Sequence, residues 1–201
     1  GGIISHTDGT FPNKVYIQSC FNYGTITHDG VAQFDLRLGG ISGCAHSNVI
    51  IDNCVSAGKI ISSERVQDSI GAVAGQAYSA TLITHCYWSN DVGCNNVFGY
   101  GIPTITESTS FNSTTFGLSE TISVGSYTGT SLIDALNAAA NYYNLRGYSH
   151  WLLNKGGSTV YFTVNGVKKG FALDSQLILL PGLANVGTMM FDGWYTDADC
   201  M

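Results

Sequence analysis

The most reactive side chains of this 201-residue chain are six cysteines: Cys20, Cys44, Cys54, Cys86, Cys94 and Cys200. A thiolate is both a nucleophile and a metal ligand, so spacing governs what these residues can do. No C-x-x-C or H-x-x-x-H pair is present. The local spacing of a metal site is therefore missing, and no metal or cofactor is expected. Cys20, Cys54 and Cys86 instead recur at nearly equal intervals. Residues related in this way stack in a repeat architecture. They are expected to form a structural row of buried free thiols that act as small apolar fillers. Side chains stacked in parallel point the same way, which is poor disulfide geometry. Cys44 and Cys94 fall in turn regions, where a pairing stays open.

The five histidines, His6, His28, His46, His85 and His150, are scattered. Strand alternation from Cys86 turns His85 outward, to solvent. No spacing supports a Cys–His nucleophile pair. Asp192, Asp197 and Asp199 cluster near the C-terminus and read as a solvated turn, because a calcium loop needs more oxygen ligands in regular order. The glycine motifs lie between strands rather than between a strand and a helix, so no phosphate-binding loop is read. No catalytic residue is assigned, and the chain is not read as an enzyme. Among the aromatics, Tyr87, Trp88, Trp151 and Trp194 are candidate contacts. Packing is the first expectation for them; where exposed, they would form a platform for a glycan or a protein.

Charge narrows the partners. Lys and Arg total 8 against 14 Asp and Glu, for a net charge of −6. The only adjacent basic pair is Lys168-Lys169. This argues against nucleic acid and against an anionic membrane surface, and the thin spread of cations makes a cleft for acidic sugars hard to build. No apolar run approaches the length of a membrane span. Gly1-Gly2-Ile3 reads like the inside of a longer chain or a processed end. Few charges and 25 Gly fit an extracellular β architecture with many turns.

The elements that must position these side chains come from a repeat of about 33 residues. Val15-Tyr-Ile-Gln-Ser-Cys20-Phe-Asn-Tyr-Gly24 aligns with Val49-Ile-Ile-Asp-Asn-Cys54-Val-Ser-Ala-Gly58 and with Thr81-Leu-Ile-Thr-His-Cys86-Tyr-Trp. Between these lie Gly39-Gly-Ile-Ser-Gly43, Gly71-Ala-Val-Ala-Gly75 and a weaker Phe98-Gly-Tyr-Gly101. One such repeat has too few apolar residues to bury its own face. Repeats must therefore stack, with Ile17, Ile51 and Ile83 over one another. The variable stretches 28–36 and 62–68 read as loops on one side. Over residues 15–101 these motifs resemble the GLUG repeat family, found in large secreted or surface proteins. That resemblance implies a right-handed parallel β-solenoid of about three repeats over residues 1–103 and an adhesin-like role.

Residues 104–157 read as a connector and a capping helix. Ser131 is a good N-cap, and Leu132, Ile133, Leu136, Ala139, Ala140 and Tyr143 make an apolar stripe over 131–146. The order Ser-Leu-Ile-Asp-Ala-Leu-Asn-Ala followed by Trp151 resembles the segment after the last GLUG repeat. The helix is expected to cap the open end of the stack. In residues 158–201, Val160-Tyr-Phe-Thr-Val, Asn165-Gly166 and the following strand read as a hairpin. The tail Phe191-Asp-Gly-Trp194-Tyr-Thr-Asp resembles the internalin-type B repeat, or Listeria–Bacteroides repeat. This implies a small β-grasp-like α/β module, here truncated by one strand. The function so implied is a non-catalytic spacer or binding module of a secreted or cell-surface repeat protein. Its partner would be a protein or glycan on another surface, or neighbouring copies of itself. Two alternatives are a filament or sheath subunit joined by strand exchange, and an accessory domain of a polysaccharide-acting or proteolytic surface enzyme.

Overall fold

The computed structural model describes residues 1–30, 36–63, 69–112, 121–143, 150–153, 160–164, 167–172 and 177–180. The chain divides into two compact units, Gly1–Leu132 and Ile133–Met201. The described residues are mainly β, with parallel sheets and one α-helix.

The described strands of the first unit fall into four successive repeats. Repeat I carries β1 (Ile4–Thr7), β2 (Val15–Gln18), β3 (Phe21–Asn22) and β4 (Ile26–His28). Repeat II carries β5 (Leu38–Gly39), β6 (Ser42–Ala45), β7 (Val49–Asp52), β8 (Val55–Ser56) and β9 (Ile60–Ser62). Repeat III carries β10 (Ile70–Gly71), β11 (Ala74–Ala77), β12 (Leu82–Thr84) and β13 (Tyr87–Ser89). Repeat IV carries β14 (Phe98–Gly101), β15 (Thr104–Thr106) and β16 (Thr109–Phe111). Each strand pairs in parallel with its counterpart in the next repeat, giving ladders β1-β6-β11-β14, β2-β7-β12-β15 and β3-β8-β13-β16. The short pairs β4-β9 and β5-β10 complete the set. Parallel pairing needs a long connection between partners, and a repeat of this length supplies it.

Register explains the sequence period. Ile17, Ile51, Ile83 and Ile105 stand opposite one another through the second ladder. Ile51 and Ile83 are fully buried at the centre of the core cluster. Each such side chain contributes roughly 1.5–3 kcal/mol of transfer free energy. The glycine motif has a steric cause. A Cβ on Gly75 would stand 2.6 Å from the Leu38 backbone nitrogen and 2.7 Å from the Gly43 carbonyl oxygen. Gly43 and Gly99 meet backbone in the same way. The first ladder and the β5-β10 pair approach too closely for any side chain to stand between them.

The stack does not end at residue 103. The stretch read as a connector carries β15 and β16, which add a fourth rung to two ladders. An isolated antiparallel bridge, Thr121 with Ser131, follows.

Helix α1 spans Leu132–Tyr143, all but its first residue in the second unit, with Asp134 in its first turn. Its Leu132, Ile133, Ala135, Leu136 and Ala139 are buried. Strand β17 (His150–Leu153) pairs antiparallel with β20 (Leu177–Leu180). Strand β18 (Val160–Val164) pairs antiparallel with β19 (Val167–Ala172), with a register shift between Phe162 and Thr163. Trp151 lies on β17 opposite Leu179. Trp194, the three C-terminal aspartates and Cys200 lie outside the described residues. None of the described helices is long and apolar enough to cross a membrane.

Candidate functional site

The richest chemistry of the described residues lies where the second ladder turns into the third. Ser19, Asn53, His85 and Glu107 occupy this turn in the four repeats, with φ of 52°, 54°, 47° and 47°. Non-glycine residues rarely adopt this left-handed conformation. Here it redirects the chain sharply between two short strands. The residues on either side are thereby fixed in rows: Gln18, Asp52, Thr84 and Thr106 before the turn, and Cys20, Cys54, Cys86 and Ser108 after it.

The structure brings Cys20, Cys54 and Cys86 together in one row. Cys54 and Cys86 are fully buried, Cys20 is half-buried, and all three are free thiols. Backbone bonds hold the spacing: Val55 N donates to Cys20 O at 2.8 Å, and Tyr87 N to Cys54 O at 2.9 Å. Each thiol donates to the carbonyl two residues before it, at 3.2 Å in all three repeats. Hydrogen bonding with the Cys54 thiol, and then burial, push the Cys20 thiol far above its ordinary range. Burial does the same to Cys54. These thiols are held protonated, the opposite of an activated nucleophile. Cys94, also half-buried, is pushed up to about 11 by burial.

His85 does not point to solvent. Residue 85 stands in the left-handed turn, after β12 ends at Thr84, so strand alternation does not govern it. Its Nδ1 lies 2.9 Å from Oδ1 of the fully buried Asp52 and 3.2 Å from Thr84 Oγ1. Gln18 Nε2 donates to the other Asp52 oxygen at 3.2 Å. A buried carboxylate needs such partners. The His85 ring meets Tyr127 edge to face at 5.5 Å. Glu107 accepts from Ser126 N at 3.1 Å and Ser126 Oγ at 3.0 Å. The left-handed row of repeats III and IV thus fastens the 3-10 turn Gly125–Tyr127 to the stack.

Tyr87 and Trp88 are not exposed contacts. Tyr87 is fully buried and Trp88 retains 8% exposure. Both lie on β13, between β8 and β16, and Ser89 beside them is buried too. A strand inside a parallel sheet is covered on both faces. The Tyr87 hydroxyl has no hydrogen-bond partner among the described residues, and burial pushes it well above the usual phenol range. Among the described residues, the most exposed aromatics are Phe11, Tyr16 and Tyr100.

A second polar cluster lies beside the first ladder. His46 Nδ1 is 3.2 Å from Asp8 Oδ1 and 3.1 Å from Ser47 Oγ, and its ring lies 4.4 Å from Tyr78. Gln76 Nε2 donates to Tyr78 Oη at 2.8 Å, and the Cys44 thiol donates to Gln76 Oε1 at 3.6 Å. Burial raises the Cys44 thiol despite the nearby Arg37. A hydrolytic relay places nucleophile and carboxylate on opposite ring nitrogens of its histidine. At His46 and at His85 the carboxylate and the hydroxyl both lie against Nδ1. No three His, Cys, Asp or Glu side chains among the described residues are grouped to hold a metal ion.

Asp52, Gln18, Glu107 and Ser108 escaped the motif reading. Gln18 and Asp52 stand two residues before Cys20 and Cys54 in the aligned repeats, whereas Glu107 and Ser108 lie in the shortened fourth repeat, which the alignment did not reach. No family model, curated protein or solved structure matches the chain.

Proposed function

We propose that the first unit is a right-handed parallel β-solenoid. On this reading the chain serves as a non-catalytic spacer or binding module of a secreted or cell-surface protein. The observation that carries the reading is the unbroken register of four repeats. Equivalent residues lie over one another in straight rows, which is how a solenoid builds a rigid, extendable scaffold. The buried thiols, which donate to backbone carbonyls and are raised by burial at Cys54, favour a structural use of this row. The partner is a protein or glycan on another surface.

The test is small-angle scattering with light scattering across a concentration series. An elongated monomer throughout supports the spacer or binding module, and a compact monomer overturns the solenoid. Growth of mass with concentration favours the second reading, self-association. One observation supports that reading: Ile105 is 38% exposed where its row partners Ile51 and Ile83 are fully buried.

A further inference from the structure

We propose that Cys20 and Cys54 form a two-coordinate site for a soft monovalent metal ion, of which Cu(I) and Ag(I) are the probes. The two residues face each other across one parallel rung. Their thiols take the same orientation, each towards the carbonyl two residues before it. Sulfurs repeated in this way stand about one strand spacing apart, roughly 4.8 Å. A disulfide would require them to close to about 2.05 Å. A linear sulfur–metal–sulfur bridge requires about twice a metal–thiolate bond; on the zinc–thiolate length of about 2.3 Å that is roughly 4.6 Å, close to one strand spacing. Soft thiolate ligands select such an ion over hard, oxygen-seeking ones.

The choice of rung follows from access. Cys86 and Cys54 are fully buried, whereas Cys20 is half-buried and opens the row to solvent. Cys44 has no such neighbour in its row, because its counterparts across the ladder are His6 and Gln76. Binding replaces two S–H bonds by two S–metal bonds. Two protons pass to water, the ion keeps its oxidation state, and the bridge carries one net negative charge. Affinity therefore rises steeply with pH. The absence of C-x-x-C spacing does not bear on such a site, since its two ligands come from successive repeats.

The test uses the full reduced chain under anaerobic conditions, with Cys44, Cys94 and Cys200 changed to serine. Cu(I) is titrated against a chromophoric Cu(I) chelator. One ion per chain is expected. Cys20→Ser and Cys54→Ser should each weaken binding by at least about 100-fold, since even outer-shell changes cost 10–100-fold. Cys86→Ser should change it little. Serine is an apt replacement in this row: Ser108 occupies the fourth rung and donates to Thr106 O at 2.8 Å, as the thiols do to their carbonyls. Far-UV circular dichroism confirms that each variant folds, and Cys20→Ser, at the half-buried rung, remains decisive if Cys54→Ser does not. Failure to take Cu(I) from the chelator overturns the proposal. So does full affinity in Cys20→Ser, or equal loss in Cys86→Ser, which would make the site a three-thiol one.

Discussion

Repeats II and III differ from repeat IV in the same three places. Ile51 and Ile83 are fully buried, and Ile105 in the same row is 38% exposed. Cys54 and Cys86 fill the position after the turn, and Ser108 replaces them. Asn53 and His85 occupy the turn itself, and Glu107 replaces them. An inner repeat has a neighbour on either side, so an apolar residue or a thiol there loses all its contact with water. The last repeat keeps a side that borders solvent. Its row positions take a hydroxyl and a carboxylate, and the carboxylate holds the turn that follows. A position in a stacked repeat is therefore specified by its place in the stack as well as by its place in the repeat.

The largest expected effect lies where repeats press together. Gly75→Ala places a Cβ against the backbone of both Leu38 and Gly43. Backbone cannot yield as a side chain can, and the expected loss is about 4 kcal/mol or more, in the range reserved for severe packing faults. Gly30→Ala is the control, since no described residue lies within 4 Å of its added carbon, and it should shift stability by less than about 0.5 kcal/mol. Urea unfolding of both variants reads the difference. Similar losses would mean that the close approach of the ladders is not what the glycines serve.

The second expected effect tests the comparison itself. Ile83→Ala empties a fully enclosed position and should cost about 4 kcal/mol, within the range for buried isoleucine truncation. Ile105→Ala removes a partly solvated side chain and should cost about 1 kcal/mol. Equal losses in denaturant melts would show that repeat IV is as enclosed in solution as repeat III.

Much of this architecture was legible in the sequence, and the parts that were not share a cause. The spacing of Cys20, Cys54 and Cys86 and the alignment of Ile17, Ile51 and Ile83 marked the rows. The two Gly-x-x-x-Gly motifs marked the close approach. The fourth repeat was hidden because it is shortened: Thr104 follows its row partner Leu82 much sooner than Leu82 follows Ile50. Ser108 also stands where the pattern calls for cysteine. The orientation of His85 was misread because strand alternation stops at a left-handed residue, which a local pattern does not reveal. Tyr87 and Trp88 looked like surface candidates because amphipathic aromatics are common there. Burial on both faces of β13 is a property of the sheet, not of the strand. Asp52 meets His85 only across a full repeat of chain, so no short motif contains the pair.

A smaller, pH-dependent effect follows from the thiols. Cys20, Cys44, Cys54 and Cys94 are all raised above the ordinary value of 9.0 in the folded chain. Between pH 9 and 11 the folded state therefore holds more protons than the unfolded one. Stability is fully present below pH 9 and falls as pH rises, because unfolding then releases protons. For Cys94, raised to about 11, the loss is complete near that pH. Melting temperatures from pH 8 to pH 11 should decline. The decline should be shallower in Cys54→Ala, whose thiol is the most enclosed of the four with an upward shift. An unchanged slope in that variant would mean that the inner row does not govern the alkaline loss.

The smallest expected effect concerns the turn that repeat IV holds. Glu107→Ala removes both hydrogen bonds to Ser126, at a position only partly buried. A hydrogen bond of this kind contributes about 1 kcal/mol net, so the global melt should move little. The informative readout is local. Amide exchange at Ser126 should accelerate, because its N–H loses its acceptor, while amides of β12 keep their protection. The His85 ring would still meet Tyr127 edge to face at 5.5 Å. Adding His85→Ala should then release the turn altogether, with a loss larger than the sum of the two single changes if the two contacts act as one clasp. If exchange at β12 accelerates along with Ser126, the turn is part of the cooperative core. The solvent-bordering side of repeat IV would then be more enclosed than the exposure of Ile105 implies.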